Sequence, residues 1–264
     1  MGEAKKKRER FLEDHPTCIF CGGVTAATTI DHVPSRQLFH RKHWPEGFEF
    51  PACGSCNGAT RHEEQVVAML SRLFPNGETE DQVAETTGII RAVARNYPNI
   101  ITEMWPSEDE VKDFLRRRGV TGPAQFPLPE VPLLSVNGPL VVRCIATFVR
   151  KLYTALHYKE SGFIVPPEGG IGWRWVNNVD PIEDQVPVDF VKLLGGRPII
   201  ERAKTNLEDQ FNYVCGGPED GSKAAYYVTF RLSFALFGIV DLDLPVLPDP
   251  NQEDRVLRPL SPPD

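Results

Sequence analysis

Cys18-Ile19-Phe20-Cys21 and Cys53-Gly54-Ser55-Cys56 are two C-x2-C pairs, and the interval between them carries Ile30-Asp31-His32-Val33-Pro34. Asn57 follows the last cysteine directly. Each pair offers two thiolates at the bite of one metal ion, and two pairs complete a tetrahedron. Cys18, Cys21, Cys53 and Cys56 are therefore expected to hold Zn2+. Four thiolates close its coordination shell, so this zinc is expected to be structural rather than catalytic. A compact zinc ribbon separates its knuckles by roughly 15–20 residues. Here the gap is thirty-one residues, which implies that a further unit is inserted between the knuckles.

That insert carries chemistry of its own. Asp31 sets a hard oxygen ligand beside His32, whose imidazole is the side chain best matched to general-base work near neutral pH. Asn57, drawn close by Cys56, offers a second oxygen. One carboxylate and one amide oxygen leave most positions of Mg2+, or another divalent ion, open to water and phosphate. Such an ion opposite a histidine-activated water would support phosphodiester hydrolysis.

The pattern C-x2-C, Asp-His-x-Pro, C-x2-C-Asn resembles the HNH, or ββα-metal, endonucleases that carry a structural zinc. The resemblance covers about residues 16–64. It implies two strands and a helix around one divalent ion, with His32 as general base and with Asp31 and Asn57 as its metal ligands. Pro34 stands at the break that follows the first strand in that family. Many relatives carry an asparagine about five residues before the third cysteine, where it holds the loop bearing the base. This sequence has Phe48 nearest that position, and Glu49 is the alternative orienting group if its side chain points inward. The implied activity is hydrolysis of nucleic-acid phosphodiester bonds, with DNA as the expected substrate. The alternative is a non-catalytic zinc-knuckle module that binds nucleic acid or a protein.

Charge is distributed in keeping with a local nucleic-acid surface. The chain of 264 residues has a net charge of -7, yet residues 1–62 carry +2 and five of the six histidines. Residues 63–264 carry -9 and offer an acidic surface to a possible protein partner. Local sign governs contact with a polyanion. Arg36, Arg41 and Lys42, with His40 and His43, form a basic strip beside the expected site. Arg61 lies four residues beyond Asn57, on the same helical face, and these four cations are the candidate phosphate contacts. His62 falls roughly 140° around the helix from Asn57 and is a weaker candidate. No apolar run approaches the ~20 residues that span a bilayer, and the charged start lacks the apolar stretch of a secretory signal. A cytoplasmic protein with no membrane contact is expected, and cysteine pairs in such a compartment favour metal over disulfides.

The fold class expected is α+β. Residues 1–75 form the zinc-stabilised module, with strands over 25–31 and 48–50 and a helix opening at Asn57 and running to about Leu73. Residues 3–14 are rich in helix formers. Residues 76–122 form a helical segment with helices over 80–96 and 107–118. Residues 119–139, with five prolines and three glycines, read as a connection. Residues 123–244 form an α+β region whose role the motif leaves open. In it Val141, Ile145, Phe148, Val149, Leu152 and Leu156 share one face of a core helix over 139–159. A strand is expected over 169–178, and a hairpin made of 211–215 and 226–240. His157, Cys144 and Cys215 sit among core residues, as do Trp173 and Trp175. The Pro-rich tail, 245–264, is expected to be extended or disordered.

Overall fold

The computed structural model describes residues 2–74, 78–117, 119, 134–177, 194–195, 198–244 and 256–261. The architecture is α+β, with helices and antiparallel sheets. Most of the expected connection over 119–139 lies outside the described residues.

Helix α1 (Glu3–Asp14) leads into the inter-knuckle unit. Strand β1 (Thr29–His32) pairs antiparallel with β2 (Glu49–Ala52), in the register Thr29 to Ala52, Asp31 to Phe50 and His32 to Glu49. β1 starts later than the β-branched run suggests, and it includes His32. Val33–Pro34, directly after it, is a cis peptide. The helix expected from Asn57 is divided. A short α2 (Gly54–Gly58) is followed by α3 (Arg61–Leu70), with Thr60 between them outside helical geometry at φ -115° and ψ 7°.

The middle of the chain forms α4 (Glu80–Asn96), α5 (Pro98–Met104) and α6 (Glu108–Arg117). Thr79 and Gln82 cap α4 reciprocally, satisfying donors that a helix start leaves open. Proline at its first helical position starts α5, where the missing N–H costs no hydrogen bond.

Helix α7 (Pro139–Ser161) is the central beam. Proline begins it, and Gly162 ends it in the left-handed conformation, φ 79°. The six apolar positions of its expected face are all buried, and most of its last three turns are buried all round. α7 lies between α3 and a five-stranded antiparallel sheet of order β6-β7-β8-β3-β9. These strands are β3 (Gly170–Asn177), β6 (Asn212–Gly216), β7 (Lys223–Phe230), β8 (Phe234–Asp241) and β9 (Val256–Leu257). Gly238 in β8 leaves the space that the Tyr153 ring of α7 fills; any side chain there would collide with the ring. A separate small hairpin pairs β4 (Glu201–Arg202) with β5 (Thr205–Asn206).

Two elements differ from expectation. The run 226–240 is two strands rather than one, turning at Arg231 with φ 51° and exposing Leu232. The alternation of apolar residues continues through the turn, and no glycine or asparagine marks it. The tail is extended at its described residues, 256–261, in line with one of the two expected states. What was not expected is its pairing: β9 joins the sheet beside β3, and the Leu260 N–H donates to the Phe20 carbonyl at 2.8 Å. Among the described residues no helix is long and apolar enough to cross a membrane.

Candidate functional site

The four cysteines Cys18, Cys21, Cys53 and Cys56 are buried, unbridged, and have their sulfurs within 4.8 Å of one another. A tetrahedral ion with Zn–S bonds of ~2.3 Å sets sulfurs about 3.8 Å apart, so the cluster fits zinc after small adjustment. The first knuckle turns on Gly22 and Gly23, at φ 67° and 81°, a region costly for residues with a Cβ. At the second knuckle the Cys56 N–H points to the Cys53 sulfur at 3.4 Å. Hydrogen bonding with Cys56 lowers the Cys18 thiol, while the same contact raises Cys56.

Successive residues of a strand face opposite sides, and Asp31 and His32 diverge accordingly. Asp31 turns inward. Its Oδ1 accepts the His32 backbone N–H at 2.8 Å, and its Oδ2 lies 2.7 Å from Lys151 Nζ. Lys151, from α7, is 1% exposed. Its ammonium also donates to Glu64 Oε1 and to Thr60 Oγ1, both at 2.8 Å, and Thr60 donates in turn to Glu64 at 2.7 Å. Burial raises the Asp31 carboxyl against the pull of Lys151. Burial would also lower Lys151, but the carboxylates of Asp31 and Glu64 outweigh it, so the ammonium stays charged.

This geometry bears on the divalent ion expected at Asp31 and Asn57. Asp31 Oδ1 accepts the His32 N–H, and Oδ2 lies against the Lys151 ammonium at 2.7 Å as an ion pair rather than an aligned hydrogen bond. The ammonium's donors go to Glu64 and Thr60. Asn57 lies at the adjoining element, where its amide N–H2 donates to Thr29 Oγ1 at 3.1 Å and to the Ile30 carbonyl at 3.3 Å. With Lys151 in place, these residues do not fit a magnesium ion, which needs octahedral oxygen ligation.

His32 lies on the other face, half-buried. Arg36 Nη2 is 2.6 Å from its Nε2, and the Trp44 ring meets it edge-on at 4.8 Å between centroids. Arg202, from β4, stacks on the same indole. Burial, followed by the charges of Arg36 and Arg202, brings the His32 imidazole down to about 4, so it is neutral near pH 7.

The other candidates scatter. Arg41 pairs with Asp81 of α4 at 2.6 Å, and His40 with Glu85 at 2.7 Å. Lys42 and Arg61 are exposed. The His62 imidazole hydrogen-bonds to the Tyr97 hydroxyl. Phe48 is buried against Phe211 and Tyr213, while its carbonyl accepts the Val33 N–H at 3.2 Å. The backbone therefore ties down the loop after His32. Glu49 stands across the ribbon from His32.

Sequence reasoning missed Thr60, Glu64, Lys151, Trp44 and Arg202. Lys151 had a signal, because it interrupts an apolar helix face three residues after Phe148. Arg202 had none. Comparison with protein-family models, with curated proteins and with solved structures finds no match for this chain.

Proposed function

We propose that the chain is an HNH-type phosphodiester hydrolase acting on nucleic acid, with DNA as the expected substrate and His32 as the group that activates water. The observation that supports this reading most is the setting of His32. It ends β1 in a two-stranded ribbon clamped by four thiols, neutral, with Arg36 and Arg202 beside it. Once a phosphate draws the Arg36 guanidinium off His32 Nε2, to which Nη2 donates at 2.6 Å, the neutral imidazole can accept a proton from water. The adjacent guanidiniums attract the phosphate to be attacked. Arrival of the phosphate offsets the two positive charges that depress the imidazole, which strengthens it as a base at that moment. The Mg2+ or other divalent ion implied at Asp31 and Asn57 would require Lys151 to withdraw, and no step here depends on it.

A second reading, a non-catalytic zinc-knuckle module that binds nucleic acid or a protein, is favoured by one observation. The Asp31 carboxylate is already neutralised by Lys151. Purified protein incubated with plasmid and with single-stranded DNA or RNA, with and without Mg2+ or Mn2+, separates the two. Cleavage that falls by about 10²-fold or more in His32→Ala, the scale of a lost general base, with binding retained, is the expected result. Cleavage unchanged in His32→Ala would overturn the role of His32. Binding with no cleavage under any condition selects the second reading.

A further inference from the structure

Trp44 carries a guanidinium on each face. Arg36 Cζ is 3.9 Å and Arg202 Cζ 3.8 Å from its ring centroid. Two guanidiniums cannot stack this closely on one face, so they sandwich the indole. Stacking fixes each planar cation. Arg36 Nη2 turns to His32 and Arg202 Nη1 to the Trp44 carbonyl, and the other N–H groups, which have no acceptor among the described residues, can bind an anion.

We propose that Arg202, together with Arg36, forms a phosphate-binding cleft across Trp44 that holds a nucleic-acid backbone phosphate beside His32. This rests on the reading that the protein acts on nucleic acid, and it makes the region beyond residue 123 part of the site.

The cleft lacks the partners that would make it a mere packing motif. Among the described residues neither guanidinium has an ion-pair partner, whereas Arg41 pairs with Asp81 and Arg116 with Asp113. Arg36 Nε and Trp44 Nε1 are both buried donors without a described acceptor. Buried donors in folded proteins are nearly always satisfied, and a phosphate brings several acceptor oxygens. Of the neighbouring acids, Glu46 accepts the Ala203 N–H at 2.9 Å. Glu49, the cross-strand partner of His32 on the same face of the ribbon, forms no ion pair with either guanidinium among the described residues.

Arg202 is also held in place in advance. It precedes a two-residue turn in which Ala203 and Lys204 both have positive φ, 47° and 67°. Such a turn suits a hairpin but disfavours residues with a Cβ, so the surroundings must hold it. The Glu46 N–H donates to the Glu201 carbonyl at 3.0 Å, and Arg202 donates to the Trp44 carbonyl at 3.1 Å. The hairpin is thereby fastened to the loop that carries Trp44.

The test is binding of labelled single-stranded and duplex oligonucleotides by fluorescence anisotropy across a salt series, using the full chain and Arg202→Gln. Loss of one phosphate contact should weaken binding about 5–10-fold at fixed salt, alike for all sequences, and lower the salt slope by about 0.7–0.9. Arg202→Lys keeps the charge, so it should keep the slope while binding a few-fold more weakly; it also serves if the glutamine variant fails to fold. Competition with inorganic phosphate separates the sources. Displacement needing far more phosphate than oligonucleotide is expected, and a protein that binds free phosphate but no oligonucleotide overturns the proposal. Unchanged affinity and slope in both variants would confine Arg202 to packing and leave the role of His32 standing. A wild-type chain that binds no nucleic acid overturns both.

Discussion

Lys151 shows how one side chain redirects the chemistry of a motif. An ammonium 1% exposed, between Asp31 and Glu64, is the local solution to a buried pair of carboxylates. Removing one member of such a cluster leaves uncompensated charge and costs about 3–5 kcal/mol. Lys151→Ala should therefore destabilise the chain by that amount in denaturant unfolding, and Asp31→Asn with Glu64→Gln in the same background should recover part of it. The variant also tests the ion site. Mg2+ should raise its thermal midpoint and leave the wild type unchanged, because only the variant exposes two carboxylates to the ion. An equal response in both proteins would mean that Mg2+ does not compete with Lys151. Asp31, His32, Asn57 and the cysteines stood out in the sequence by residue type and short spacing. Lys151 was readable only as an oddity in an apolar stripe. Arg202 was not readable at all, because its partner Trp44 lies 158 residues away and no periodicity links them.

At the scale of elements, the knuckles organise the ribbon. The first knuckle holds Cys18 and Cys21 just before β1, and the second spans the junction of β2 with α2. One tetrahedral ion held by these four sulfurs would thus join the segment before β1 to the junction of β2 with α2. Gly22 has room for no side chain, since a Cβ would come within 2.8 Å of Pro167 Cδ, so the knuckle also packs against the segment between α7 and β3. Metal analysis should find one zinc per chain. Because binding energy at such sites is folding energy, stripping the zinc with a strong chelator should cost at least about 4 kcal/mol, or about 10 °C in midpoint for a chain of this size. A midpoint unmoved by chelation, with the zinc demonstrably gone, would show that the buried thiols pack without metal. Element type was legible where periodicity was clean, as in α7 and α4. It failed at 226–240, where Phe230-Arg231-Leu232-Ser233-Phe234 turns without a glycine or asparagine, and Arg231 adopts positive φ under tertiary constraint. β9 was hidden for a related reason. Two residues pairing with a distant strand leave no local pattern.

Across the whole molecule, apolar packing runs through the boundary at residue 75. One apolar cluster runs continuously from Phe39, Phe48 and Met69 through Phe148 and Leu152 to Phe211, Tyr213 and Phe230. Phe48 is the joint. Its phenyl ring meets Phe211 and Tyr213 edge-on, at 5.6 and 6.2 Å between centroids. The basic module also takes Lys151 and Arg202 from the acidic remainder, so charge and core both cross the boundary. Residues 1–75 should consequently fail to fold alone even with zinc. The isolated fragment would expose Phe39 and Phe48 and strand Asp31 and Glu64 without their ammonium, an uncompensated charge worth about 3–5 kcal/mol by itself. Domains this small have only a few kcal/mol of margin. The intact chain should melt in one calorimetric transition. The fragment should bind Co2+ through its thiols, yet show no near-ultraviolet circular dichroism and no cooperative melt. A fragment that melts cooperatively near the temperature of the full chain would make the module autonomous, and the shared core would then be a docking surface rather than a condition of folding.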